Sequence, residues 1–384
     1  MTPSPAFHWV GAGLSSGPGI VALARKYNNL TVWDMSPDRV EELSRLGGTD
    51  IAYAPLNLED EHLVEDFLDA LHRGDVVVSM LPATLHVELA ELVMGRGCHV
   101  VTSSYVSPEM QALEARAKEA GVALVNEVGL DPGIDHLFAH LVVEAANKAG
   151  LMGKGYPMRF VSYCGGIPAE PDAFTYKFSW TPLGVLTALK NQARFLADGA
   201  EQVVNKAWEA VSDLGIAGET FEVYPNRNSL PYIEEYGLAA EKALGEFVRG
   251  TLRLGGWKEA WADIFEQVEN ADMATLKELS GKLHAEHSYG EGEEDRVVLY
   301  VALEVETPEG PWRASLALDE KGSGWQTAMA RTVSLTVARA ARSVLKGDFA
   351  PGVHAAISDP DLCRTWLADL KAEGLNTRAE NIAL

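Results

Sequence analysis

The sequence predicts an α/β protein. A doubly wound parallel sheet comes first, followed by a second, mixed-sheet α/β domain and a small helical lobe. The reasons are local. Short strands and helices alternate from residue 7 to residue 125, and a glycine-rich turn joins the first strand to the first helix. Beyond residue 155 the strands lengthen and are broken by Pro and Gly.

Composition limits the possible partners. The chain has 384 residues, more than one core usually holds, and its 47% hydrophobic and 23% charged residues are ordinary for globular domains. A net charge of −23 repels phosphate backbones and anionic lipid, so neither nucleic acid nor a membrane is an expected partner. No apolar run approaches the ~20 residues of a membrane span and no signal core opens the chain, which points to the cytoplasm. Cys98, Cys164 and Cys363 are odd in number, far apart and without zinc-type spacing. They fit a reducing compartment and no metal site.

Residues 7–10 form a short apolar strand that runs into Gly11-Ala12-Gly13-Leu14-Ser15-Ser16-Gly17, and a helix follows through Ile20, Val21, Leu23 and Ala24. The next strand, 30–33, ends at Asp34, about 20 residues past the loop, where a Rossmann-type dinucleotide fold needs an acid for the adenosine ribose. Ser16 holds the usual place of the third glycine, so the fingerprint is the looser G-x-G-x-x-x-G. Gly11, Gly13, Leu14 and Ser15 are the expected phosphate-side contacts, with Asp34 and Met35 at the ribose end.

The alternation continues with helices at 37–46, 61–71, 85–94 and 108–120 and strands at 51–54, 76–79, 99–102 and 122–125. Ligands of such sheets bind at the carboxyl ends of the strands. Ser79, Leu81 and Pro82, the stretch 102–105, and Val128, Gly129, Leu130 and Asp131 are therefore expected around one crevice. Residues 126–136 read as the turn between the strand 122–125 and a helix from Ile134 onward. Asp131 is placed to cap the helix and Pro132 to occupy its first turn, leaving amides that attract anions.

In the second half, strands are expected at 159–164, 176–180, 221–224, 250–254, 297–306 and 312–318, and helices at 183–195 and 327–345. Residues 257–284 are mostly helical and make a candidate lobe. The acidic stretch 290–295 reads as a solvated connector.

Several of these stretches carry a resemblance: Thr102-Ser103-Ser104-Tyr105-Val106-Ser107-Pro108, Asn126 through His136, Ser162 through Ala169, Tyr176 through Trp180, Tyr224-Pro225-Asn226-Arg227-Asn228-Ser229, and Arg249 through Arg253. They closely resemble saccharopine reductases, the glutamate-forming saccharopine dehydrogenases. The resemblance implies a dinucleotide-binding domain of residues 1–131 and 346–384. It implies a substrate-binding and dimerisation domain of 132–254 and 287–345, and a helical lobe of 255–286. It further implies a homodimer whose substrate is a polycarboxylate amino acid, with nicotinamide-dependent oxidation at the C–N bond of saccharopine or the reverse condensation. Arg227 and Arg253 then match carboxylate clamps, alongside substrate contacts from Ser104, Tyr105, Asp131, Thr251 and Leu252. Asp131 leads the catalytic candidates, with Tyr105 to polarise, Cys164 as a third, and Lys177 as a competing base.

The rivals are a related amine dehydrogenase, of the lysine or carboxynorspermidine type, and a non-catalytic nicotinamide-binding sensor. For the cofactor, the better-known members of the family place a basic residue after the second strand, whereas here the order is Trp33-Asp34-Met35-Ser36-Pro37. NAD is predicted over NADP, and the counter-reading has Ser36 and Arg39 cradling the 2′-phosphate.

Overall fold

A computed structural model describes residues 5–384. The chain begins with β1 (Phe7–Val10), α1 (Gly17–Ala24), β2 (Leu30–Asp34), α2 (Pro37–Gly47), β3 (Ala52–Pro55), α3 (Glu61–Ala70) and β4 (Val76–Ser79). It continues with α4 (His86–Met94), β5 (His99–Thr102), α5 (Pro108–Gln111), α6 (Glu114–Ala120), β6 (Ala123–Val125) and α7 (Ile134–Lys148). Side chains start several of these helices. Ser36 Oγ accepts from Asp38 N and Asp60 accepts from His62 N and Leu63 N, satisfying donors that a helix leaves orphaned.

The next elements are β7 (Met158–Pro168), α8 (Pro182–Leu189), β8 (Ala193–Ala197), β9 (Ala200–Val204), β10 (Ser212–Ile216), β11 (Glu219–Pro225), α9 (Pro231–Glu235) and β12 (Leu244–Leu254). Then come α10 (Trp257–Ala260), α11 (Ala262–Asn270), α12 (Met273–Glu286), β13 (Asp295–Thr307) and β14 (Gly310–Gly322). The chain closes with α13 (Ala328–Lys346), β15 (Gly352–His354), α14 (Pro360–Ala372) and β16 (Thr377–Glu380). Two compact units result, one up to His136 together with Ala330–Ile357, the other Leu137–Met329 with Ser358–Leu384.

The first unit holds a 7-stranded sheet in the order β15-β6-β5-β4-β1-β2-β3, with every pairing parallel. Strand order reverses between β1 and β4, and that switch point is where doubly wound sheets open a ligand crevice. Trp33, Phe67, Leu89, Val93, Val100 and Leu124 fill one core of this unit. At Gly19 on α1, an added Cβ would fall on the Ser334 carbonyl and 2.7 Å from the Trp9 ring. The tight helix packing expected of the third fingerprint glycine therefore belongs to Gly19.

The second unit holds a sheet in the order β10-β11-β12-β7-β13-β14-β16, with β8 and β9 attached at β12. Only β12 and β7 run parallel along that path; the other neighbours are antiparallel. Residues 176–180, expected as a strand, form none. Tyr176 and Phe178 instead enter an aromatic cluster with Trp257, Trp261 and Phe265, which joins α8 to the lobe of α10–α12. Aromatic burial outweighs strand propensity there. The expected helix 183–195 ends at Leu189, and β8 starts at Ala193.

The C-terminal segment, expected as one block with the first sheet, is divided by its pairings. β15 pairs with β6, while β16 lies along β14, where Arg313 meets Glu380 at 2.8 Å. The acidic stretch is also more than a connector. Asp295 is 0% exposed and accepts from the amides of Ala328 and Met329 at 2.5 and 2.9 Å, so it fills the start of α13. Among the described residues, no helix is long and apolar enough to cross a membrane.

Candidate active site

The glycine-rich loop leaves β1 at the switch point. Gly11 has φ of 93°, and a Cβ there would lie 3.1 Å from the Met80 carbonyl, so only glycine suits the turn. The Gly11 carbonyl is braced by the Trp9 indole N–H at 3.1 Å and the Ser16 hydroxyl at 2.9 Å. Nothing lies within 4 Å of the Cβ position of Gly13. The amides of Gly13, Leu14 and Ser15 have no hydrogen-bond partner among the described residues. Consecutive unpaired amides beside an open glycine, ahead of a helix N-terminus, form a cradle that fits a pyrophosphate.

Asp34 closes the other side of this cradle. Its Oδ2 accepts from Ala12 N at 2.7 Å and its Oδ1 from Ser36 N at 3.1 Å, which holds the carboxylate against the loop. Leu14 is 63% exposed and Met35 75%, which leaves apolar surface on both flanks. Of the groups that could favour an extra phosphate, Arg39 is paired with an acid, while the Ser36 hydroxyl keeps its own proton. Ser36 Oγ accepts from Asp38 N at 3.3 Å, and Arg39 pairs with Glu42.

Tyr105 and Asp131, singled out separately in the sequence, meet in the structure: the Tyr105 hydroxyl donates to Asp131 Oδ1 at 3.2 Å. Asp131 is not the helix cap. α7 starts at Ile134, Gly133 N donates to Asp135 Oδ1 at 2.6 Å, and the amides of Ile134 and Asp135 bond to the carbonyls of Gly129 and Leu130. The expected anion seat there is thus taken by the chain's own backbone. The loop doubles back so closely that a Cβ on Gly133 would overlap the Gly129 backbone.

Glu127, which sequence reasoning passed over, ties the two loops together. It is a non-glycine residue with φ of 59°, and its N–H donates to the Ser104 carbonyl at 3.0 Å. Its Oε1 accepts from Val106 N at 3.0 Å, and its Oε2 lies 2.9 Å from His136 Nε2. A left-handed backbone at such a residue is a strain the surrounding contacts must hold. The only sequence signal was an acid directly after a buried strand.

In the second unit, Arg253 on β12 is 6% exposed, with its guanidinium over the rings of Tyr176, Trp257 and Tyr224 at 4.8, 5.6 and 5.7 Å. Its Nη1 donates to the Leu252 carbonyl at 3.1 Å, and among the described residues it has no ion-pair partner. Aromatic faces attract a cation but do not neutralise it, so this buried charge still favours a carboxylate. Thr251 pairs in register with Tyr224 on β11 and Cys164 on β7. Arg227 lies on the exposed loop after β11 in the left-handed region at φ 56°, and its carbonyl accepts from Arg194 N at 2.8 Å.

Two candidates find protein partners instead of open space. Cys164 is 8% exposed in mid-strand. The glycines beside it make room for the Leu252 backbone and for Met329. Lys177 Nζ meets Glu293 Oε1 at 2.5 Å, which occupies the proposed competing base in an ion pair.

Residues 7–125 match the model described as the saccharopine dehydrogenase NADP binding domain, and residues 129–375 match the saccharopine dehydrogenase C-terminal domain. The chain belongs to the saccharopine dehydrogenase family. It is a nicotinamide-dependent oxidoreductase. The chain is 30% identical to the NADP(+), L-glutamate-forming saccharopine dehydrogenase of Schizosaccharomyces pombe, covering 98% of this chain and 99% of that protein. It is 32% identical to the enzyme so named from Pyricularia oryzae, over 76% of this chain and 82% of that protein. The solved apo saccharopine dehydrogenase (L-Glu forming) of Saccharomyces cerevisiae superposes with a TM-score of 0.81 at 25% identity, over 98% of this chain and 100% of that chain. The fold also matches a homospermidine synthase from Legionella pneumophila, with a TM-score of 0.67 at 10% identity, covering 99% and 92% of the two chains.

Proposed function

We propose that this family member oxidises saccharopine to L-glutamate and 2-aminoadipate 6-semialdehyde, or runs the reverse reductive condensation, with NAD ahead of NADP. In the forward direction a carbon beside the secondary amine loses a hydride and the nitrogen loses a proton, and the resulting imine takes up water and splits. A bound nicotinamide dinucleotide supplies the hydride acceptor. The protein's share is binding, orientation and proton handling.

The buried, caged guanidinium of Arg253 carries the substrate reading, because a site for a simple cationic amine has no use for such a charge. Arg227 would hold a second carboxylate, with Ser104, Thr251 and Leu252 as neutral contacts. The Tyr105–Asp131 pair supports proton handling at the amine nitrogen, a hydroxyl and a carboxylate in one hydrogen bond being able to pass a proton in either direction. Cys164 we read as a packing residue. The dinucleotide would rest on Gly11, Gly13, Leu14 and Ser15, with Asp34 and Met35 at the ribose and Ser79, Leu81, Pro82, Val128, Gly129 and Leu130 toward the nicotinamide.

We also read the protein as a cytoplasmic homodimer. Three buried free cysteines support a reducing compartment, and burial pushes the thiols of Cys98 and Cys363 up to about 12. Light scattering of the purified chain tests the dimer. For the activity, absorbance at the reduced-nicotinamide band is followed with saccharopine, lysine and carboxynorspermidine against each dinucleotide. Turnover of saccharopine with NAD is expected. Preferred turnover of either amine, or no turnover of any, would overturn the reading.

A further inference from the structure

His86 begins α4 and is 4% exposed. Its Nδ1 lies 2.8 Å from Ser79 Oγ at the end of β4. Its Nε2 lies 2.8 Å from Ser104 Oγ and 3.1 Å from Thr102 Oγ1 at the end of β5. One imidazole thus bridges adjacent strand ends on the crevice side of the sheet. We propose that His86 is a positioning residue that sets the hydroxyl directions of Ser79 and Ser104, and so couples the dinucleotide seat to the substrate seat. This rests on the reading above, in which Ser79 faces the dinucleotide and Ser104 the substrate.

Burial lowers the pKa of His86 to about 4, so at neutral pH the ring is uncharged and has a single N–H and a single lone pair. Thr102 Oγ1 accepts from Ser104 N at 3.3 Å, and the Thr102 proton is free to point at Nε2. In that tautomer Nδ1–H donates to Ser79 Oγ, and the Ser79 proton is turned toward another acceptor. In the other tautomer Nε2–H donates to Ser104 Oγ, so Ser104 presents its proton outward while Ser79 gives its own to the ring. The serine that receives from the ring is the one able to donate to a ligand. Filling one seat therefore biases the other, which is a coupling through a two-state element.

Amide replacements separate the two arms. His86→Asn keeps a polar atom near the Nδ1 position and loses the Ser104 side, whereas His86→Gln reaches the Nε2 position and loses the Ser79 side. Binary affinities for NADH and NADPH by fluorescence titration, and the KM of saccharopine at saturating dinucleotide, are measured for both variants and for His86→Leu. The Asn variant is expected to raise the saccharopine KM about tenfold with little change in dinucleotide affinity. The Gln variant is expected to do the reverse, on the scale of one lost hydrogen bond. The coupling itself is read as NADH affinity with and without saturating saccharopine: the wild type is expected to show a difference that both variants lose, and a difference that survives in the Asn and Gln variants, or a folded Leu variant that shifts neither constant, would overturn the relay. Ser79→Ala and Ser104→Ala isolate the underlying reading. If these two do not separate dinucleotide affinity from saccharopine KM, the assignment of the seats fails and the relay falls with it. If they do separate while the NADH–saccharopine coupling survives in the His86 variants, the relay alone fails.

Discussion

The hydroxyl of Tyr105 donates to Asp131 Oδ1 at 3.2 Å, joining the loops that leave the adjacent strands β5 and β6. Removing either member should affect turnover more than dinucleotide binding. Asp131→Asn keeps the size but loses the basic carboxylate, and kcat is expected to fall about 100-fold. Tyr105→Phe should lower kcat as well, and the double variant should fall short of the product of the two losses, because the residues act as a unit. Steady-state rates and dinucleotide titrations of the three variants check this. Retention of kcat within a factor of about two in Asp131→Asn would remove it from proton handling.

Asp34 bears on the choice of dinucleotide. Its carboxylate is held by Ala12 N and Ser36 N, while Arg39 is committed to Glu42. A 2′-phosphate would meet a like charge, and the nearby Arg39 is already paired with Glu42. NAD is expected to exceed NADP in kcat/KM by at least tenfold, roughly 1.4 kcal/mol. Asp34→Arg should move the ratio toward NADP. Equal values in the wild type, or no movement in the variant, would count against Asp34 as the selector.

The two arginines predict a loss in substrate affinity. Arg227→Ala should raise the saccharopine KM by one to two orders of magnitude, about 1.5 to 3 kcal/mol for a charge-assisted pair, with Arg227→Lys recovering only part. For Arg253, replacement by Lys keeps the charge but loses the planar fork, so KM should rise while dinucleotide affinity stays unchanged. An unchanged KM in Arg227→Ala removes that residue from the site.

Glycines of the first unit should separate stability from binding. Gly19→Ala puts a methyl against the Ser334 carbonyl and the Trp9 ring, and is expected to cost about 1–3 kcal/mol in urea unfolding. Gly13→Ala faces open space, so stability should hold while dinucleotide affinity falls. If Gly13→Ala binds the dinucleotide normally, the phosphate cradle lies elsewhere.

Asp75 predicts an acid-side loss of stability. Burial acts to raise its pKa, but hydrogen bonds from His8 and from the amides of Ala6 and His72 outweigh this and hold it below the usual carboxylate value. A carboxylate depressed on folding contributes stability above its unfolded pKa of about 3.9, and the contribution is lost as pH falls through the folded value. Urea midpoints of wild type and Asp75→Asn should differ at neutral pH and draw together in acid. A gap that does not narrow would show that Asp75 acts through its shape and not its charge.

By itself the sequence determined the parallel sheet, the glycine-rich turn with Asp34 at the end of the next strand, and the family to which the chain belongs. Those features are written in neighbouring residues: βα alternation, glycines before a helix, and short contiguous motifs. Only the tertiary structure decided what depends on residues far apart in the chain. It took Tyr176 out of a strand and into the cage around Arg253, and it placed β16 on the edge of the second sheet. It released Asp131 from its capping role because backbone carbonyls already satisfy the start of α7, and it gave the packing role of the third glycine to Gly19. His86 carried no local signal, and Glu127 only that of an acid directly after a buried strand. A buried polar side chain takes its meaning from its partners, and those partners are assembled only when the strand ends come together.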